Sequence, residues 1–316
     1  VINQGLLFFS AAIVSFLITY PILWILRLYH LTQFIREEGP RTHKFKAGTL
    51  TMGGIGLVVT LIAFAFIFID VELYPLYLAL ILLTAGFALT GLADDLIKIF
   101  RQENLGLSFW QKIFLQVLLA GLFSAFLWKL GHYQNVGEIL RTLGFNNPFY
   151  YFLLSTFMIV GTANATNLTD GLNGLLAGTA GIAFLAFAFL CHKLFFPDGG
   201  TFSSVAAGAV LAFLIFNFPK AKVFMGDVGS LAIGAALAGL AIVIHKELHL
   251  IIIGGVFVLE TLSVILQVIS YKLFKMRVFK MTPLHHHFEL MGYKEIPIVV
   301  GFWVVGIVLG VVGVML

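Results

Sequence analysis

The sequence predicts an all-α, polytopic integral membrane protein of about ten transmembrane helices, with both termini on the extracytoplasmic side. Three observations carry this expectation. Of the 316 residues, 60% are hydrophobic and only 11% charged, too little polar surface to solvate a water-soluble globule of this length. Apolar runs long enough to cross a bilayer core of about 30 Å as helices recur along the whole chain, without the short apolar-polar alternation of a membrane barrel. The basic residues fall mostly on one side of the resulting layout.

Taken in order, apolar runs bounded by charge, Gly and Pro place helices at 5–28, 51–69, 75–92, 109–129, 149–163, 174–194, 204–217, 229–244, 250–271 and 297–316. The first lacks a small-residue cleavage pattern and reads as a retained helix. With ten spans the odd-numbered connections share a face. Only Lys129, Arg141, Lys193 and Lys246 lie on the other, leaving 15 of the 19 Lys and Arg on the first, which the positive-inside rule makes cytoplasmic. A wrong number of spans would scramble this asymmetry. No fixed-period repeat or long linker divides the chain, so residues 1–316 read as one transmembrane domain. The net charge of +4 follows from topology and attraction to membrane lipid, with no nucleic-acid partner required. A single cysteine, Cys191, excludes a disulfide framework and a thiolate zinc cluster.

Topology explains the cations but not the acids and amides among them. Asp94-Asp95-Leu96-Ile97-Lys98 sits where the third helix leaves the membrane; adjacent carboxylates there are costly unless a cation compensates them, although an i,i+4 surface pair is the plainer alternative. The fifth connection, Asn164 to Gly174, holds Asn164, Asn167, Asp170 and Asn173 at three-residue steps. On a helical or 3₁₀ turn these form a polar strip for sugar hydroxyls, a nucleobase edge or a hard metal ion, against which stands a simple capping cluster. In Met225-Gly226-Asp227-Val228-Gly229 a carboxylate between two glycines precedes a helix start, a setting suited to a phosphate or to an N-cap. Asn217 ends the preceding helix nearby.

His285, His286 and His287 are consecutive, so their side chains diverge and cannot share one ion; imidazoles facing a phosphorylated ligand fit better than zinc, with a solvated loop as the alternative. Lys46 and Thr51 lie where a basic connection runs into a Gly-rich helix start. Glu260 is the one acid well inside a helix, with Ser263 and Gln267 on nearly the same face. Carboxylates without cysteine, together with amides and Lys on one aqueous face, describe an oxygen-ligand site suited to Mg²⁺ and phosphates.

Six stretches in order, HKFKAGTLTMGG, GLADDLIK, NATNLTDGLNGL, VFMGDVGSL, FVLETLSVILQ and TPLHHHFEL, are similar to the phospho-N-acetylmuramoyl-pentapeptide transferase family, within the polyprenyl-phosphate N-acetylhexosamine-1-phosphate transferase superfamily. Leu50 stands where that family usually has Pro, and Asn173 where some members carry Asp. The resemblance implies transfer of phospho-MurNAc-pentapeptide from UDP-MurNAc-pentapeptide to undecaprenyl phosphate, giving lipid I and UMP in peptidoglycan synthesis at the cytoplasmic face of the bacterial inner membrane. It implies Mg²⁺ held by Asp227 with Asn167, and Asp94 and Asp95 accepting the acceptor's proton or positioning its phosphate. Asn164, Asp170, Asn173 and Asn217 would bind nucleotide or sugar, and Lys46, Thr51, Lys98 and His285 to His287 would complete the substrate site. The family and the abundant apolar surface also allow a homodimer. Two other readings are a sibling transferase using UDP-GlcNAc, which the uninterrupted PLHHHFEL argues against, and a secondary transporter, which would place its ionisable groups near the midplane between inverted repeats.

Overall fold

The computed structural model describes residues 3–32, 48–70, 72, 74–103, 105–135, 140–145 and 147–316. These residues are helical, without strands; two isolated bridges join Leu50 to Thr32 and to Val223.

Local chemistry starts and stops the helices. Helix α1 (Gln4–Leu28) begins at Asn3, whose side chain accepts from the Gly5 and Leu6 N–H groups. After α2 (Gly54–Phe68), α3 (Pro75–Arg101) opens on a proline and ends on Lys98 and Arg101, cations that suit a helix C-terminus. Helix α4 (Phe109–Lys129) opens on a reciprocal capping box between Ser108 and Gln111. A 3₁₀ turn at His132–Asn135 and a π-helical turn at Arg141–Phe145 lead to α5 (Pro148–Thr169), capped by Asn147. There follow α6 (Leu175–Lys193), α7 (Pro197–Asn217), α8 (Gly226–Val243), α9 (Glu247–Ile253), α10 (Gly255–Phe274), α11 (Leu284–Leu290) and α12 (Glu295–Met315).

Among the described residues, eight helices are long and apolar enough to cross a membrane: α1, α3, α4, α6, α7, α8, α10 and α12. Helix α2 is apolar but has 15 residues, and α5 ends in hydroxyls and amides. The expected run at 250–271 is split at Gly254 and Gly255 into α9 and α10, because two glycines weaken helix propagation. Helices α3 and α5 continue past their expected ends at 92 and 163, carrying Asp94, Asp95, Lys98, Asn164 and Asn167 as helical residues.

Helix α8 is the axis of the bundle, buried at every position from Val228 to Val243. Its Ala and Gly content lets α3 and α5 approach closely, the packing that replaces the hydrophobic drive inside lipid. Helix α7 packs between α1 and α6, and α12 lies on α6. Leu6, Phe9, Ile13 and Leu17 on α1, and Val304, Val308 and Val311 on α12, face outward, as expected where lipid is the solvent. Gln4 abuts Gly200 at the start of α7, and Lys193 Nζ bonds the carbonyls of Val314 (2.9 Å) and Met315 (3.3 Å). The start of α1 thus lies by the start of α7, and the end of α12 by the end of α6.

Candidate active site

Four segments meet at the start of α8. Phe224 N–H donates to Leu50 O (2.8 Å), Gly53 N–H to Phe224 O (2.9 Å) and Gly54 N–H to Met225 O (2.9 Å), so the 50–54 segment leading into α2 fixes the chain just before Asp227. Gly226 turns with φ of 75°, a left-handed conformation that glycine adopts without strain. From the other side α3 arrives at Gly91, where a Cβ would sit 2.1 Å from Asp227 O. That contact sets Asp94 and Asp95, one turn further along α3, beside Asp227.

One carboxylate oxygen from each of Asp94, Asp95 and Asp227 lies within 4.8 Å of the others. The three acids have distinct partners. Asp95 Oδ2 accepts from Val228 N–H (3.1 Å) and so caps α8, where a negative charge meets the positive end of the helix. Asp94 Oδ1 accepts from Leu107 N–H (2.9 Å), tying down the α3–α4 connection. Asp227 Oδ1 accepts from Asn167 Nδ2 (2.8 Å), which also donates to Ser230 Oγ (2.8 Å).

Two ammonium groups balance the acids. Lys98 Nζ is 2.5 Å from Asp94 Oδ2, 3.1 Å from Asp227 Oδ2 and 3.8 Å from Asp95 Oδ1. Lys112 Nζ, from α4, is 2.5 Å from Asp227 Oδ2 and 3.8 Å from Asp94 Oδ2. Asp94 Oδ2 is buried against the Lys98 ammonium, so a metal ligated there would compete with that cation. Three hard carboxylate oxygens at this spacing fit a divalent cation such as Mg²⁺. Asn167, its amide nitrogen committed, could offer only Oδ1.

The other anticipated residues divide by environment. Asn164 Nδ2 donates to Gln116 Oε1 (2.7 Å) and Val160 O (2.8 Å). Asp170 closes α5, its N–H bonded to Asn167 O (3.3 Å). Asn217 is buried and uses both ends of its amide on backbone: Oδ1 accepts from Gly174 N–H (2.7 Å) and Nδ2 donates to Val223 O (2.9 Å). Asn173 is buried, donating from its N–H to Glu295 Oε1 (2.7 Å) and from Nδ2 to Pro219 O (3.3 Å). These bonds join the α5–α6 turn to the chain before Asp227. Thr51 is buried and donates its N–H to Leu31 O (3.1 Å). Lys46 lies outside the described residues.

The three histidines, on α11, part company. His285 is buried, its Nδ1 3.2 Å from Glu260 Oε2. His286 Nδ1 pairs with Glu289 Oε2 at 2.7 Å. His287 Nδ1 accepts from Lys280 N–H (3.1 Å), which leaves its Nε2 as the protonated nitrogen of the neutral ring. Leu172 and Leu175 pack with Ile298, Val299, Phe302, Leu284 and Phe288, holding α11 on the α5–α6 turn.

Sequence reasoning missed Lys112, Ser230 and Gln116. Lys112 counts as one more anchor under the positive-inside rule, yet a cation in the first turn of a helix opposes the helix dipole. That local misfit is the signal that marks it.

Residues 77–245, from α3 to just beyond α8, match the family model described as Glycosyl transferase family 4. Proteins called phospho-N-acetylmuramoyl-pentapeptide-transferase match nearly end to end. One from Bacillus subtilis (strain 168) is 45% identical over 308 residues, covering 96% of this chain and 94% of that protein. Another, from Geobacillus sp. (strain WCH70), is 47% identical over 315 residues, 96% of each. A third, from Anoxybacillus flavithermus, is 44% identical over 321 residues, covering 99% and 98%. The chain belongs to glycosyl transferase family 4 and, within it, to the phospho-N-acetylmuramoyl-pentapeptide transferases.

Proposed function

We propose that this chain transfers phospho-MurNAc-pentapeptide from UDP-MurNAc-pentapeptide to undecaprenyl phosphate at the Asp94–Asp95–Asp227 centre, forming lipid I and UMP in peptidoglycan synthesis with Mg²⁺. The observation that carries the site assignment is the convergence of three carboxylates and two lysines from α3, α4 and α8 within a chain of this family. Asp227, with Asn167 beside it, would hold Mg²⁺, which would neutralise charge on the donor's diphosphate.

The protein's own groups supply positioning and counter-charge. Asp94 and Asp95 orient the acceptor phosphate or take its proton. Lys98 and Lys112 have flexible stems and can exchange a carboxylate for a phosphate oxygen. Asn164 and Asp170 line the nucleotide and sugar side, shaped from behind by Asn173 and Asn217, while His286, His287 and Lys46 meet phosphate. An acceptor phosphate oxygen bonds to the sugar-linked phosphorus as the bond from that phosphorus to the bridging oxygen breaks, and UMP leaves with the electron pair. A phosphate monoester is nucleophilic enough to need no covalent enzyme intermediate.

In the membrane, α1 to α8, the broken pair α9–α10, and α12 make ten crossings, with both termini extracytoplasmic and the carboxylates at the cytoplasmic face. The placement of Lys and Arg supports this orientation. Incubating the protein with undecaprenyl phosphate, Mg²⁺ and each UDP-sugar separately tests the assignment. UMP should be released with UDP-MurNAc-pentapeptide; release with UDP-GlcNAc alone would transfer the chain to the sibling reaction.

A further inference from the structure

Glu260 is fully buried in α10, and both carboxylate oxygens lack an aligned hydrogen-bond partner. The polar group that meets it is His285 of α11, with Nδ1 3.2 Å from Glu260 Oε2 and the ring 1% exposed. The opposite edge of that ring rests on the α5–α6 turn: a Cβ on Gly171 would lie 2.2 Å from His285 Nε2. Such a pair is expensive to place in an apolar interior and strongly destabilising to half-remove. A lone packing contact would be met more cheaply by apolar side chains.

We propose that Glu260 is a positioning residue for the donor side of the site: through its 3.2 Å polar contact with His285 Nδ1 it seats the imidazole against Gly171. Helix α11 is thereby clamped to the turn that carries Asp170 and Asn173. The clamp aims the neighbouring histidines, since His286 and His287 project from the same short helix at about 100° intervals. It also steadies the end of α5, where Asn167 holds Asp227. His285 is thus the inner anchor of the histidine run and His286 and His287 its outward groups. This assignment rests on the donor-site reading above and adds to it a residue one layer behind the ligand.

The test compares Glu260→Leu, Glu260→Gln and Gly171→Ala in lipid nanodiscs, with wild-type turnover of UDP-MurNAc-pentapeptide established first. A wild type that releases no UMP from this donor overturns the preceding section and is seen before any variant is compared. Glu260→Leu should raise the donor KM about tenfold or more with the undecaprenyl phosphate KM unchanged, because only the donor side loses its support. Glu260→Gln, which keeps a polar oxygen facing Nδ1, should remain within about threefold of wild type. Gly171→Ala leaves every polar group in place but displaces the imidazole, and should reproduce the donor KM defect even if Glu260→Leu does not fold. An unchanged donor KM in Gly171→Ala, an equal rise in both KM values, or a Gln variant as poor as the Leu variant would overturn the proposal.

Discussion

Asp227 is held by Asn167 on one oxygen and by Lys98 and Lys112 on the other. The two lysines occupy the ground a metal would share, so their removal has opposite effects on binding and on chemistry. Lys112→Met should tighten Mn²⁺ or Mg²⁺ binding about fivefold, by relieving roughly 1 kcal/mol of repulsion at this partly exposed pair, as read by metal titration. The same change should lower kcat by about 10²-fold, since a cation facing the developing charge is lost. Weaker metal binding would show instead that Lys112 organises the carboxylates. At this scale the sequence was legible where a residue type was out of place for its surroundings: paired acids at a membrane exit, or Asp227 between glycines. It was not legible for Asn217, whose amide is spent on two backbone groups; spacing shows that an amide is present but not which way it faces.

At the scale of elements, the site depends on how closely α3 approaches α8. Gly91→Ala would place a methyl within 2.1 Å of Asp227 O, and separating the helices by about 1 Å should cost about 10²-fold in kcat. Donor binding should change little, because α5 and α11 do not pass through this contact. Far from the site, the short α9 carries a second set of buried ionisable groups. Glu247 is buried there and accepts from the Tyr151 hydroxyl. Burial, with smaller contributions from His132 and Lys246, holds His245 down at about 4; its ring stacks on His132 with centroids 3.9 Å apart.

His245 stays neutral when folded, so its contribution is present above pH 6.5 and lost as pH falls through about 4. His245→Asn removes this contribution, and its Tm should gain on wild type as pH falls from 6.5 to about 4. A constant difference across that range would contradict the assignment. Only tertiary packing brings His132, Tyr151, His245 and Glu247 together, and their separation in sequence hid the cluster.

At the scale of the molecule, composition made the helical membrane fold legible, because a chain with 11% charged residues has few ways to satisfy its backbone outside helices in lipid. The span boundaries were less legible. Hydropathy stops a helix where polar residues begin, whereas α3 and α5 run on as helices beyond their apolar runs to carry their acids and amides. That overrun makes the site: rigid helices, rather than loops, hold Asp94, Asp95 and Asn167 around Asp227. In the proposed function, this carboxylate centre performs the transfer with a divalent cation. Asp227→Asn keeps the size of the side chain and removes its charge. In nanodiscs with UDP-MurNAc-pentapeptide, undecaprenyl phosphate and saturating Mg²⁺, UMP release should be almost abolished, and retention of most of the wild-type rate would contradict it.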